Sequence, residues 1–174
     1  ASIEGVDEVI HVVINDGSTD ETVRVVRELG IKEIVDYTPN EGLGIAYKRG
    51  LERAVELGAD IIVNTDADGQ YRAEEIPDLV RPILQSEADL VNGNRHIAKI
   101  PGYTLYKRLS QQTANLLVML FFGGKIEDTT SGFRAITKEA AEVLIKSMRN
   151  EYTYTLESIC ILLAAEKRIN FIPI

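Results

Sequence analysis

The chain has 174 residues, of which 45% are hydrophobic, 26% charged and 6% aromatic, and 27 Asp and Glu outweigh 19 Lys and Arg to leave a formal charge of −8. That is the composition of a folded protein, and a chain this long buries about 70% of its unfolded surface, so one domain closes its core without disulfides or a structural metal. The acid excess argues against a nucleic-acid partner, and with a longest apolar stretch of only Leu116 to Phe122 against the ~20 residues that span a bilayer, no transmembrane segment is expected.

Runs rich in Val and Ile alternate with stretches of helical period, the pattern of a mostly parallel sheet covered by helices. A strand is predicted at His11 to Ile14. The helix after it opens with a capping box, Ser18 and Glu21, carries Val23, Val26 and Leu29 on one face, and stops at Gly30. A strand at Glu33 to Tyr37 leads to a helix from Gly44 to Leu57 that ends at Gly58, then to a strand at Asp60 to Thr65. The next helix, Ala73 to Ser86, has Pro77 early and Pro82 inside, which predicts a kink before the strand at Asp89 to Gly93. Pro101 and Gly102 mark a loop between Arg95 and Tyr106, a candidate lid over the sheet's carboxyl edge. A helix from Leu105 to Phe122 stops at Gly123-Gly124, the stretch Asp128 to Ile136 follows, then helices at Lys138 to Lys146 and Leu156 to Lys167 and a strand at Asn170 to Ile174. Cys160, the sole cysteine, lies in the apolar run Ile159 to Ala165, where a buried, inert thiol is expected. Nothing at the start has the form of a signal peptide, and the chain reads as cytoplasmic.

The strand Ile61 to Thr65 runs into Asp66-Ala67-Asp68-Gly69-Gln70, which displays two carboxylates and an amide oxygen at a strand's carboxyl end, where ligands of open α/β sheets bind. Such hard oxygen ligands suit Mg²⁺ or Mn²⁺ and leave coordination positions for substrate phosphates; a simple Asp-Gly turn is the alternative. Asn15-Asp16-Gly17-Ser18-Thr19-Asp20 ends the first strand in the same way, placing Asp16 at the same edge. There a carboxylate can accept hydrogen bonds from a base or ribose, whereas Ser18 and Asp20 read as caps.

These two segments, in this order and strand context, resemble family-2 glycosyltransferases of the GT-A fold. Three more stretches match: Pro39-Asn40-Glu41-Gly42-Leu43-Gly44-Ile45-Ala46, Asn92-Gly93-Asn94-Arg95, and Asp128-Thr129-Thr130-Ser131-Gly132-Phe133-Arg134-Ala135. The last is similar to the branch containing dolichol-phosphate mannosyltransferase and bacterial polyprenyl-phosphate glycosyltransferases. The resemblance implies a single GT-A-like, Rossmann-like α/β domain with a mostly parallel sheet flanked by helices. It implies that Asp16 contacts the base, with Asn15 where relatives carry another acid, and that Asp66 approaches ribose and metal. Asp68 and Gln70 would hold Mg²⁺ or Mn²⁺ against the diphosphate, which makes Asp68 a catalytic candidate, and Arg95 and Arg108 match arginines aimed at the acceptor phosphate. Relatives open with a further strand ending in a Pro, Asn and Glu-rich turn, so residues 1–174 are expected to be a catalytic domain lacking its first strand and a C-terminal segment.

The activity so implied is metal-dependent, inverting transfer of a sugar from a nucleoside-diphosphate sugar, of the GDP-mannose or UDP-glucose type, to a polyprenyl or dolichyl phosphate. A phosphate acceptor is ionised near neutral pH and needs arginines more than a base. A sugar-hydroxyl acceptor needs a base, for which Asp128 is the candidate by resemblance; its structural alternative is a pair with Arg134 or Lys125. Lys107 and Arg108 precede the apolar series Leu109, Ala114, Leu116, Leu117, Leu120 and Phe121. Core packing is the default for that series, and contact with the cytoplasmic face of a membrane is the functional alternative. Lys48, Arg49 and Arg53 read as a solvated helix face. A catalytically silent nucleotide-sugar binding module is the reading from another class, and a nucleotidyltransferase is disfavoured by the lack of a glycine-rich phosphate loop.

Overall fold

The computed structural model describes residues 3–95, 113, 115–116, 118–123, 126–149 and 153–174. Strand β1 (Val12–Asp16) pairs in parallel with β2 (Glu33–Tyr37), in a register running from Val12 opposite Glu33 to Asp16 opposite Tyr37. Between them lies α1 (Thr22–Glu28), and α2 (Leu43–Glu56) follows β2. Next come β3 (Ile61–Asn64), a 3₁₀ turn at Ala73–Glu75, α3 (Ile76–Leu84) and β4 (Leu90–Asn94). Residues 113, 115–116 and 118–122 are helical (α4), and β5 (Arg134–Thr137), α5 (Lys138–Ser147), α6 (Tyr154–Ala164) and β6 (Ile169–Pro173) complete the order.

The second sheet has the order β3-β5-β4-β6, in which β5 is antiparallel to both its neighbours while β4 and β6 are parallel. The sheet is thus mixed, with β5 its one reversed strand. Reversal has a functional consequence: the amino end of β5 meets the carboxyl ends of β3 and β4, and Arg134 stands opposite both Asn64 and Asn92. Among the described residues neither β1 nor β3 has a hydrogen-bonded strand on its second side, so the sheet is divided between them. Helix α2 spans the division by packing on β1 and against α5, which covers β3.

Period-two alternation splits the core into two layers. Leu90 of β4 and Ile136 of β5 join Leu51 of α2, Leu144 of α5 and Ile159 and Leu162 of α6 on one face. Val91 and Ala135 turn to the other, against Leu79, Val80 and Ile83 of α3 and Phe133. Gly93 is required where β4 passes β6, because a Cβ there would lie 2.6 Å from the Ile174 side chain and 3.1 Å from the Phe133 carbonyl.

Four expectations need correction. The Ser18–Glu21 capping box does not form: the Ser18 N–H faces Asn15 Oδ1 at 3.4 Å, and α1 starts at Thr22, whose N–H donates to Asp20 Oδ1 at 3.0 Å. Leu29 is 73% exposed rather than packed. Cys160 is half-buried, and burial pushes its thiol pKa up, which disfavours the reactive thiolate. In α4, Leu120 is 70% and Phe121 81% exposed, so this end of the helix is not core; Leu109, Ala114 and Leu117 lie outside the described residues.

Candidate active site

Strand β3 delivers its carboxyl end into a loop that displays Asp66, Asp68 and Gln70 to solvent. Gly69, with φ +76°, turns the chain so that the Gln70 N–H donates to Asp68 Oδ1 at 3.0 Å. Partial burial and then the like charge of Asp68 push the Asp66 carboxyl above its usual pKa, while Arg95 and Arg134 pull it back. Two carboxylates that repel each other beside an amide oxygen fit a hard divalent cation, which would relieve the repulsion. No third His, Cys, Asp or Glu joins them among the described residues, so substrate oxygens would complete the coordination. Behind this loop Asn64 Nδ2 donates to the Gly132 carbonyl at 2.7 Å. A Cβ on Gly132 would lie 3.1 Å from Asp66 Oδ2 and 3.1 Å from the Tyr154 hydroxyl oxygen, so any larger residue would have to push one of these side chains aside.

At the end of β1 the Asp16 carboxylate accepts the N–H groups of Glu41, at 2.7 Å, and Gly42, at 3.0 Å, and Asn40 Nδ2 donates to the Asp16 carbonyl at 2.8 Å. Gly42 caps α2, so Asp16 lies at the positive end of a fourteen-residue helix. Gly17 makes the approach possible: its φ is +76° and a Cβ would lie 2.7 Å from the Asn40 N. Asn15 is buried and donates to Asp36 at 2.7 Å. Burial, then the charge of Asp16, push the Tyr37 hydroxyl up to about 12. Two of the three residues read as a solvated face are engaged: Arg49 pairs with Glu41 and stacks on the Tyr37 ring at 3.8 Å, and Arg53 bridges Glu33 and Glu56 at 2.6 and 3.0 Å.

Asp128 is completely buried and ion-paired. Its carboxylate accepts from Arg95 Nε at 3.0 Å and a second Arg95 nitrogen at 3.2 Å, and from the N–H and hydroxyl of Thr130 at 2.9 and 3.0 Å. Burial alone raises this carboxyl, but the hydrogen bond and charge of Arg95 with the Thr130 donors outweigh it, and the net shift is downward. The partner is therefore Arg95, not the Arg134 considered from sequence; Lys125 lies outside the described residues. Asn92 Nδ2 donates to the Asp128 carbonyl at 2.6 Å, and Asn115 of α4 donates to the Glu127 carbonyl at 2.8 Å, which ties this loop to β4 and α4. Lys107, Arg108 and nearly all of the candidate lid also lie outside the described residues.

Sequence reasoning missed one member of this edge. Arg134, at the head of β5, is fully buried beneath the Ser131–Phe133 turn. The signal was an arginine followed by Ala-Ile-Thr, and only the assignment of β5 as a strand places it inside.

The class of protein so defined is an α/β domain with an exposed acid cluster and a buried arginine–carboxylate centre at one sheet edge. The chain belongs to glycosyl transferase family 2, whose sequence profile matches residues 6–145. It is 29% identical to UDP-N-acetylglucosamine–dolichyl-phosphate N-acetylglucosaminyltransferase of Methanococcus voltae, over 91% of this chain and 70% of that protein. It is 33% identical to polyprenol monophosphomannose synthase of Mycolicibacterium smegmatis, over 76% of this chain and 53% of that one. Glucosyl-3-phosphoglycerate synthase of Mycobacterium tuberculosis, solved with Mn²⁺ and UDP-glucose, shares the GT-A-like fold with a TM-score of 0.67 and 21% identity, over 93% of this chain and 57% of that chain. The chain thus spans between half and seven-tenths of the length of these proteins.

Proposed function

We propose that this chain carries the donor-binding centre of a metal-dependent, inverting glycosyltransferase that moves a sugar from a nucleoside-diphosphate sugar, of the GDP-mannose or UDP-glucose type, to a polyprenyl or dolichyl phosphate. The observation that carries the reading is the juxtaposition of the Asp66, Asp68 and Gln70 cluster with the Arg95–Asp128 pair, close enough for the charge of Arg95 to act on Asp66. The names of the lipid-phosphate relatives support the acceptor class. Mg²⁺ or Mn²⁺ held by Asp66, Asp68 and Gln70 would stabilise charge on the departing diphosphate.

The acceptor phosphate oxygen attacks the anomeric carbon as the bond to the diphosphate oxygen breaks, and the diphosphate leaves with the electron pair. No proton has to move, because the phosphomonoester has a second pKa of about 6. Arg95, with its side chain 26% exposed, presents a guanidinium whose orientation is fixed by Asp128 and Thr130, and Arg108 is the second arginine proposed for that phosphate. A carboxylate held low in pKa inside an ion pair suits this holding role better than proton abstraction, which favours phosphate over hydroxyl as acceptor. Asp16 would meet the nucleotide base from the start of α2.

No helix among the described residues is long and apolar enough to cross a membrane. The exposed Leu120 and Phe121, on the helix that Asn115 ties to the Asp128 loop, support peripheral contact with lipid, placed by this reading at the cytoplasmic face. This reading takes residues 1–174 as a catalytic domain, whose sheet among the described residues is divided between β1 and β3.

The test is transfer of radiolabelled sugar from donor to polyprenyl phosphate in the presence of Mn²⁺. Label is expected in an organic-extractable, mild-acid-labile lipid, and Arg95→Ala should raise the acceptor KM with donor affinity near normal. Label appearing only on a sugar hydroxyl would refute the acceptor class, and donor binding with no transfer by the full-length chain would mark a silent module.

A further inference from the structure

Among the described residues Arg134 is a fully buried cation, and the proposed mechanism leaves it unused. Its guanidinium donates to the Ser131 carbonyl, to the Ser158 hydroxyl at 2.6 Å and to the Thr155 carbonyl at 3.5 Å, and lies 5.7 Å from the Tyr154 ring centre and 6.0 Å from that of Tyr47. All these partners are neutral, Nε is without an acceptor, and among the described residues no carboxylate lies within ion-pairing distance. Arg49 and Arg95, around the same sheet edge, each pair with an acid. A buried charge costs free energy, and neutral acceptors and ring faces offset that cost only in part, so a group of opposite sign within reach of its field would complete the compensation.

That partner lies toward the donor site. Arg134 stands opposite Asn64 in the sheet, and Asn64 binds the Gly132 carbonyl, which fixes the turn that separates the guanidinium from the Asp66 carboxylate. We propose that Arg134 is a positioning residue whose buried positive charge, acting through the Ser131–Phe133 turn without touching substrate, seats the Asp66 loop and draws the anionic diphosphate of the donor to it. The inference rests on the nucleoside-diphosphate reading above.

A charge role and a packing role differ in sign. A buried cation strengthens anion binding and weakens cation binding, whereas a collapsed turn weakens both. At about 10 Å and an effective dielectric of about 20, one unit charge changes an ion's affinity by roughly tenfold. The chain is titrated with UDP, GDP and pyrophosphate without metal by calorimetry, and with Mn²⁺ alone by electron paramagnetic resonance, as wild type, Arg134→Gln and Arg134→Lys. Arg134→Gln is expected to bind the diphosphates at least about tenfold more weakly and Mn²⁺ at least about tenfold more tightly. Arg134→Lys keeps the charge while losing the geometry at Ser131 and Ser158, so it should stay within about threefold of wild type for both. Weakening of both ions by either variant, or no change in Arg134→Gln, overturns the proposal. Should Arg134→Gln not fold, Arg134→Lys decides alone: a tenfold loss of diphosphate affinity refutes the charge role. A wild-type chain that takes pyrophosphate and Mn²⁺ but neither nucleotide refutes the nucleotide-sugar reading and leaves the Arg134 comparison standing on pyrophosphate; one that takes no anion refutes both.

Discussion

Replacing Asp128 with Asn removes the negative half of the buried pair at the sheet edge while keeping the side chain's shape. Breaking a buried ion pair from one side costs about 3 to 5 kcal/mol, and the lower end applies because Arg95 keeps about a quarter of its side chain in water and can rehydrate. A loss of about 3 kcal/mol lowers Tm by roughly 6 to 12 °C in a chain of this size. The pH dependence follows from the downward shift of this carboxyl. The folded state holds the proton less tightly than the unfolded state, so the pair contributes fully above the ordinary carboxylate pKa of about 4 and its contribution is lost as pH falls through the lower, folded value. Wild type should therefore lose stability in that acid window, and Asp128→Asn should lose correspondingly less there. In the transfer assay the variant should raise the acceptor KM more than it lowers kcat, because Arg95 is released rather than a base removed. Arg95→Ala should then add little to Asp128→Asn, less than the two separate losses together. A collapse of kcat at unchanged KM, with the acid limb of the pH–rate profile gone, would show that Asp128 takes a proton and that the acceptor is a hydroxyl.

Asp68→Asn should abolish Mn²⁺-dependent transfer and leave Tm within about 1 °C, since an exposed loop carboxylate contributes little to stability; equal wild-type activity in EDTA would remove the metal role. Asp16→Ala takes two acceptors from the start of α2 and should cost about 1 to 2 kcal/mol of stability, read in urea titration. The same variant should weaken nucleotide binding by about 1 to 3 kcal/mol, and unchanged affinity alongside lowered stability would reduce Asp16 to a cap. Gly132→Ala puts a methyl 3.1 Å from Asp66 and from the Tyr154 hydroxyl and should cost about 1 to 3 kcal/mol with an accompanying loss of donor affinity. Wild-type donor binding in that variant would show that the turn yields freely.

The strands were legible because five of the six are runs that periodicity marks, and β2 matches its predicted bounds, Glu33–Tyr37. β5 was not, since its four residues, Arg-Ala-Ile-Thr, start with a charge and complete too few alternations to announce a strand. The acid cluster was legible as spacing on a strand end, and the positions of Asp16, Asp66, Asp68, Gln70 and Arg95 at one edge follow from the strands that carry them. What a linear pattern does not encode is pairing across the sheet. That Asp128 meets Arg95 rather than Arg134 depends on the antiparallel turn of β5, which sends the two arginines of neighbouring strands to different neighbours: one to a carboxylate, the other to carbonyls, a hydroxyl and ring faces.

That division of labour bears on how an acidic chain holds an anionic donor. Asp16, Asp66 and Asp68 crowd one edge, and of the arginines near them two are neutralised in place, Arg49 by Glu41 and Arg95 by Asp128. Surface cations would be screened by salt and hydrated, whereas a guanidinium under the sheet edge acts through a low-dielectric interior where its field decays less. The acid residues can then seat a divalent cation without the site becoming too negative for a diphosphate. On this account donor affinity should depend weakly on ionic strength in wild type. Because the buried charge itself is absent from Arg134→Gln, what attraction remains in that variant comes from exposed groups and should fall steeply as salt rises. Calorimetric titration of the better-bound nucleotide at low and high NaCl checks this, and equal salt slopes in the two proteins would show that the attraction resides on the surface.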